Sequence, residues 1–213
     1  MKEALEAALR EVLGPGEVVA LKRLPGGASK EAWAVDYRTG EVLHPLFLRR
    51  AGGGAIYRGT LSLAEEFRLL QVARAHGVKV PEPLGYLPDL GGREAFLMRR
   101  LSGEAIGARV VRRPELARAR EVLPRAMAEE LAKIHALPPL EVPFLRPSTL
   151  PPWRAALEEA YRDLDALGEP HPALEWGLRW LLYHPPGELP PVVVHGDFRI
   201  GNLLVDGEGL VAV

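Results

Sequence analysis

Cysteine is absent from the 213 residues, which excludes disulfides, thiol nucleophiles and cysteine-ligated metals. The formal net charge of −1 argues against broad electrostatic binding to nucleic acid or to an anionic membrane. No apolar run approaches the length that spans a bilayer, and the charged, amphipathic residues 1–13 do not resemble a signal peptide. We therefore expect a cytoplasmic protein that binds neither nucleic acid nor membrane.

Lysine is scarce, because only five of the 27 basic residues are Lys and the rest are Arg. The apolar fraction of 47% and the charged fraction of 26% are those of an ordinary globular protein. A chain of this length can bury one good core, or two small lobes that share an interface.

Residues 192–206 combine an apolar run, a polar loop and a second apolar run. The loop places His195, Asp197 and Asn202 in the pattern His-x-Asp-x-x-x-x-Asn, which is typical of the catalytic loop of kinases. In phosphoryl transfer a carboxylate orients the acceptor hydroxyl and takes its proton, and an Asn carbonyl helps to hold a metal against the nucleotide phosphates.

Three other interpretations of this loop compete with the kinase one. A metal-dependent hydrolase needs further ligands in similar settings, and the remaining histidines show no paired spacing. A serine hydrolase needs a Gly-x-Ser-x-Gly turn, which the sequence lacks. Asp197 and Asn202 can also simply stabilise a turn. The order along the chain of a glycine-rich turn, a cation at a strand end, a helix, a hinge, further helices and this loop favours the kinase interpretation over a simple turn.

The chain begins with elements typical of a strand-rich half. Apolar spacing predicts helices at 2–12 and 61–76 and strands at 17–24, 32–37, 42–50, 84–87 and 95–99, with a glycine-rich turn at 25–30. After a hinge at Ser102-Gly103-Glu104, helices are predicted at 113–136, 153–164 and 173–184. We interpret His135, at the end of the first of these, as a core residue.

Together these motifs resemble the aminoglycoside phosphotransferase family of small-molecule kinases. Residues 193–204, Val-Val-His-Gly-Asp-Phe-Arg-Ile-Gly-Asn-Leu-Leu, are similar to its catalytic loop, and Leu-Ala-Lys-Ile-His at 131–135 resembles the helix before that loop. Leu-Arg-Arg at 48–50 and Asp-Phe-Arg-Ile-Gly-Asn at 197–202 are similar to the branch that includes the kinase-like domain of acyl-CoA dehydrogenase fusion proteins.

The resemblance implies an α+β, protein-kinase-like fold with two lobes. A nucleotide-binding lobe at 1–100 would contain an antiparallel sheet and a helix, and a mainly helical, incomplete catalytic lobe would follow at 101–213. In the loop, Asp197 would be the catalytic base, Asn202 a Mg²⁺ ligand, and Arg199 a contact of the transferred γ-phosphate.

The resemblance also implies an ATP site in the first lobe. The residues implied to cover the nucleotide phosphates are Gly26, Gly27 and Ser29. Arg49, at the end of the third strand, would contact the α- and β-phosphates and pair with Glu66. Backbone groups near Arg99 and Leu101 would hold adenine, with Met98 behind it.

In the family, an Asp that holds the other Mg²⁺ follows the hairpin that corresponds to residues 203–213. That Asp is expected about two residues beyond Val213. We therefore expect a truncated chain with little turnover of its own. Two functions remain open: a kinase that phosphorylates a hydroxyl of a small molecule, and a nucleotide-binding pseudokinase or regulatory module without turnover. The acceptor and the oligomeric state are not readable from the residues.

Overall fold

The structure is a computed structural model that describes residues 1–25, 30–52, 60–145, 149–187 and 190–213. The predicted phosphate-covering residues Gly26, Gly27 and Ser29 lie outside these ranges. The chain forms two compact units, one of residues 1–137 with 194–213 and one of residues 138–193. The lobe boundary between residues 100 and 101 stays a prediction.

A five-stranded antiparallel sheet organises the first unit, with the strand order β1-β2-β3-β5-β4. Its strands are β1 (Glu17–Leu24), β2 (Lys30–Thr39), β3 (Val42–Ala51), β4 (Pro83–Leu87) and β5 (Ala95–Arg99). All pairings between neighbouring strands are antiparallel. The predicted strands are confirmed, with ends that differ by at most two residues.

One face of the sheet packs against α1 (Lys2–Leu13). Leu5 and Leu9 lie one helical turn apart on α1 and are fully buried, together with Leu46 and Leu48 of β3. Because residues two apart on a strand share a face, this pattern fills one side of the sheet with aliphatic side chains.

The other face meets α2 (Leu63–Ala75). Phe67 of α2 lies 5.9 Å, ring centre to ring centre, from Phe96, which alternates on β5 with the α1-facing Leu97. Ser62 and Glu65 form a reciprocal capping box at the start of α2, which satisfies two backbone N–H groups that the helix itself cannot. The cap fixes where the first turn of α2 begins, and Glu66 lies in that turn.

The remainder of the first unit is a small core under the polar loop. It contains α3 (Gly107–Arg112), α4 (Ala117–His135), β6 (Leu204–Val205), β7 (Leu210–Ala212) and short 3-10 helices at Pro114–Leu116 and Ile200–Asn202. The side chains of Val110, Leu123 and Leu203 are buried in this core. His135 is exposed at the end of α4, so its interpretation as a core residue is wrong.

The second unit contains 3-10 helices at Pro139–Glu141 and Pro143–Leu145, followed by α5 (Pro152–Leu167) and α6 (Pro172–Tyr183). Leu157 and Leu164 of α5 are buried, whereas Trp176 and Trp180 of α6 are exposed. None of the helices in the described ranges is long and apolar enough to cross a membrane.

The contact between α1 and the sheet can be tested with Leu9→Ala. Because Leu9 is fully buried, the change removes apolar contacts and leaves a cavity; we expect the free energy of unfolding to fall by about 2–5 kcal/mol. Leu140→Ala is the matched control, since Leu140 is 93% exposed. We expect this variant to lower the free energy of unfolding by no more than about 0.5 kcal/mol. Equal losses for the two variants in urea unfolding would contradict this packing.

Candidate functional site

The polar loop is anchored from behind by apolar side chains that alternate with its polar ones. Phe198 and Ile200 pack against the core formed by α3, α4, β6 and β7, and Leu203 is 2% exposed within it. The intervening Asp197, Arg199 and Asn202 are exposed. The alternation therefore turns the polar side chains of the loop toward solvent while the chain on both sides of them is held.

The carboxylate of Asp197 is oriented by two neighbours. Arg199 donates from Nε to Oδ1 at 2.9 Å and to Oδ2 at 3.1 Å. Asn202 donates from Nδ2 to Oδ2 at 2.7 Å and to the backbone carbonyl of Asp197 at 2.9 Å. The structure thus brings together the three residues of this loop that the sequence predicts to be functional.

These contacts also set the charge of Asp197. The hydrogen bond from Asn202, and then the hydrogen bond and charge of Arg199, hold the pKa of the Asp197 carboxyl below its ordinary value. The carboxylate is therefore ionised and able to accept a proton at neutral pH. Because the folded-state pKa is lowered, any stabilisation of the fold by this ionisation is present above the unfolded pKa and is lost as the pH falls through the folded one.

His195 and Gly196 shape the start of the loop. His195 Nδ1 accepts a hydrogen bond from the backbone N–H of Asp197 at 3.3 Å, and its ring meets Phe198 edge-on at 5.5 Å. Gly196 has φ 81°, in the left-handed region that a side chain disfavours. These features bend the chain between the apolar run and Asp197.

The side-chain carbonyl of Asn202 fits the implied Mg²⁺. Its Nδ2 is turned toward Asp197, which leaves Oδ1 without a hydrogen bond to the described residues, and Mg²⁺ prefers oxygen ligands of this kind. Asp206, the next carboxylate, instead accepts hydrogen bonds from the backbone of Glu208 and Gly209 in the β6–β7 turn. No group of three or more metal-binding side chains occurs in the described ranges. Asn202 can therefore supply one ligand.

A second cluster lies where β2 and β3 face α2. Arg49 Nε is 2.9 Å from Glu66 Oε2, so the ion pair implied for these residues is present. Lys30, the first residue of β2, places Nζ 2.5 Å from the other oxygen of Glu66. Sequence reasoning assigned no role to Lys30, and the one signal that could have found it is its position at the end of the glycine-rich turn. Roles for Arg49 and Glu66 in nucleotide binding stay predictions.

The end of β5 carries the residues predicted to surround adenine. Met98 is paired with Phe47, on the face of the sheet that also carries Arg49. The backbone N–H of Arg99 is bonded to the carbonyl of Glu82, whereas that of Leu101 donates to no carbonyl in the described ranges. Of these two donors, only that of Leu101 is therefore open to a ligand.

Glu104 connects this strand end to the polar loop. Its backbone exchanges hydrogen bonds of 2.7 and 3.0 Å with Val205 of β6. The hydrogen bond from the Ile106 backbone, and then the charges of Arg109 and Arg113, hold the pKa of the Glu104 carboxyl below its ordinary value. Sequence reasoning placed Glu104 in a hinge but missed this connection. Across the described residues, no hydrogen bond or ion pair joins Asp197 directly to Arg49 or Glu66.

An antiparallel sheet covered by a helix, followed by helices and a loop in which Arg and Asn orient an Asp, is the arrangement of kinase-like phosphotransferases. The family model described as the phosphotransferase enzyme family matches residues 20–213, so the chain belongs to this family.

Two curated relatives confirm the finer resemblance. Acyl-CoA dehydrogenase family member 10 of Mus musculus is 26% identical over 216 aligned residues, which cover 97% of this chain and 20% of the relative. Acyl-CoA dehydrogenase family member 11 of Gallus gallus is 26% identical over 198, which cover 85% of this chain and 25% of the relative. The chain thus spans a fifth to a quarter of the length of these proteins.

Solved structures confirm the predicted fold class. A protein provisionally assigned as an aminoglycoside phosphotransferase from Ralstonia eutropha matches with a TM-score of 0.71 and 19% identity, over 100% of this chain and 63% of that one. Wild-type aminoglycoside 2'-phosphotransferase-IIIa in its GDP complex matches with a TM-score of 0.68 and 17% identity, over 100% of this chain and 71% of that one. The fold is that of the aminoglycoside phosphotransferases.

The contact between Arg199 and Asp197 can be tested with Gly201→Ala. A methyl group at Gly201 would overlap Nη1 of Arg199, so the guanidinium must move. We expect the pKa of Asp197 to rise toward its ordinary value, because Arg199 helps to lower it. Carboxyl NMR titration measures this shift. In the control Gly177→Ala the new methyl meets no atom within 4 Å, and the pKa of Asp197 should not change. An unchanged pKa in both variants would contradict the assignment.

Proposed function

We propose that the protein is an ATP-dependent phosphotransferase that moves the γ-phosphate to a hydroxyl of a small molecule. The observation that carries this proposal is the exposed, ionised Asp197, held by Arg199 and Asn202 in the kinase loop pattern. Membership of the phosphotransferase family supports the reaction class. A pure nucleotide binder has no need of an oriented carboxylate.

In the proposed reaction Asp197 orients the acceptor and receives its proton. The acceptor oxygen forms a bond to the γ-phosphorus, the bond from that phosphorus to the β–γ bridging oxygen breaks, and ADP leaves with the electron pair. Oδ1 of Asp197 is the oxygen available to the hydroxyl, because it has one hydrogen-bond donor and Oδ2 has two. The terminal nitrogens of Arg199 have no hydrogen bond to the described residues and can contact the γ-phosphate.

The remaining implied residues would hold the nucleotide. Arg49 supplies a cation for the phosphates. The backbone N–H of Leu101, which donates to no carbonyl of the described residues, suits an acceptor nitrogen of adenine, with Met98 on the same side of the sheet as Arg49. The GDP complex of a protein with this fold supports nucleotide binding in general. Mg²⁺, held in part by Asn202, would neutralise phosphate charge when bound.

A second function, nucleotide binding without turnover, is favoured by one observation. Both oxygens of the Asp197 carboxylate already accept hydrogen bonds from Arg199, and one also accepts from Asn202. A carboxylate engaged in this way is a weaker proton acceptor than a free one. A regulatory module could therefore keep the loop for its shape alone.

The proposed location is the cytoplasm, which a chain without cysteine suits. The proposed partner is a small hydroxyl compound, and neither nucleic acid nor membrane is proposed as a partner, in line with the net charge of −1.

Turnover in Asp197→Asn tests the first function. Asn keeps the shape of Asp but cannot take the proton, so we expect ADP release to fall roughly 10²–10⁴-fold. The assay couples ADP release from Mg²⁺–ATP to a panel of hydroxyl compounds, with Mg²⁺–GTP in parallel, and uses the longest form of the protein that its gene encodes. Asp206→Asn is the matched control and should retain most of the turnover, because Asn can accept the same turn hydrogen bonds.

Two results would decide against the proposal. Undiminished turnover in Asp197→Asn would show that this carboxylate is not the base. Tight ATP binding without phosphorylation of any compound in a broad panel would favour the nucleotide-binding module.

A further inference from the structure

Lys30 is a buried cation to which the sequence pattern assigns no role. Its side chain is 8% exposed, and it begins β2 at the edge of the sheet face that meets α2. Nζ donates to Oε1 of Glu66 at 2.5 Å and to the backbone carbonyl of Leu61 at 2.8 Å. Burying an ammonium group is costly unless it is paired, so this environment is built for a charged side chain.

The charges around Glu66 do not balance. One carboxylate faces two cations, with Lys30 on Oε1 and Arg49 on Oε2. In the described ranges neither cation forms an ion pair with any other carboxylate. The cluster therefore carries one excess positive charge.

Hydrogen-bond donors in the cluster are also left over. Arg49 Nε is buried against Glu66, but the side chain is 39% exposed and its terminal nitrogens make no hydrogen bond to the described residues. The ammonium of Lys30 has three N–H groups, of which the described residues accept two. An anion with several oxygens would balance the excess charge and accept from the terminal nitrogens of Arg49 and the remaining N–H of Lys30.

The sheet register places the two cations side by side. Arg49 of β3 is paired with Ala32 of β2, and Lys30 lies two residues before Ala32. Residues two apart on a strand share a face, so Lys30 and Arg49 project from the same face of neighbouring strands. Ala32 and Ala51, which share that face, have short side chains.

We propose that Lys30 is a nucleotide-phosphate-binding residue, and that Glu66 holds Lys30 and Arg49 as a pair of cations for one polyphosphate chain. The identity of the anion rests on the proposed function. The two cations are complementary: Lys30 is a compact point charge fixed at two of its donors, whereas Arg49 offers a planar fork of donors. A cation of each kind can contact successive phosphates.

Calorimetric titration of Lys30→Met with ADP, adenosine and tripolyphosphate tests this role. A charge-assisted hydrogen bond to phosphate is lost, so we expect ADP and tripolyphosphate to bind roughly 10–100-fold more weakly, with adenosine binding unchanged. Lys22→Met is the matched control, since Lys22 is an exposed Lys on the neighbouring strand β1. It should bind all three ligands as the unmodified protein does.

The other possible binding results either overturn the inference or separate it from the proposed function. Unchanged ADP affinity in Lys30→Met, or an equal loss for ADP and adenosine, would overturn the inference and reduce Lys30 to a tie between β2 and α2. If the unmodified protein binds tripolyphosphate through Lys30 but no nucleotide, the proposed function fails and the anion site stands. If it binds neither nucleotide nor tripolyphosphate, the inference is overturned.

Lysine acylation on the unmodified protein gives an answer even if Lys30→Met does not fold. The chain has only five lysines, so each acylated site can be assigned by peptide mass spectrometry. We expect ADP, but not adenosine, to slow acylation of Lys30, while acylation of Lys22 stays constant. Equal labelling of Lys30 with and without saturating ADP or tripolyphosphate would overturn the inference.

Discussion

Packing of Phe198, Ile200 and Leu203 against the core beneath fixes the loop on which the proposed chemistry depends. Asp197 and its two partners are exposed and would have many side-chain conformations on a free chain. Anchoring these three residues in the core beneath removes most of that freedom before any ligand binds. The hydrogen bonds from Arg199 and Asn202 then select one orientation of the carboxylate. Positioning of this kind is the main contribution of a protein to phosphoryl transfer.

The second constraint is electrostatic and is centred on Glu66. The capping box at Ser62 sets the start of α2, so the carboxylate in its first turn meets the ends of β2 and β3. The carboxylate of Glu66 holds two cations because each approaches a different oxygen, Lys30 meeting Oε1 and Arg49 meeting Oε2. The terminal nitrogens of Arg49, which make no hydrogen bond to the described residues, are left for an anion.

Local patterns were sufficient to predict most of the fold. Alternating apolar residues and turn signals located all five strands of the large sheet, and the loop pattern singled out Asp197 and Asn202. The burial of Lys30 could not be predicted, because it depends on the register of β2 against β3 and on where α2 crosses them. His135 shows the same limit, since helical spacing alone did not reveal that the last turn of α4 buries Ile134 and leaves the neighbouring His135 exposed.

The short backbone ladder between Glu104 and Val205 has a thermodynamic consequence. It joins the segment after β5 to β6, the strand that follows the polar loop. The connection runs through main-chain atoms rather than through flexible side chains. If adenine bound at the end of β5 and Mg²⁺ bound at Asn202 each shift this ladder, the binding free energies of the two ligands are coupled. Linkage then requires the coupling to be reciprocal, so that each ligand changes the affinity for the other by the same factor.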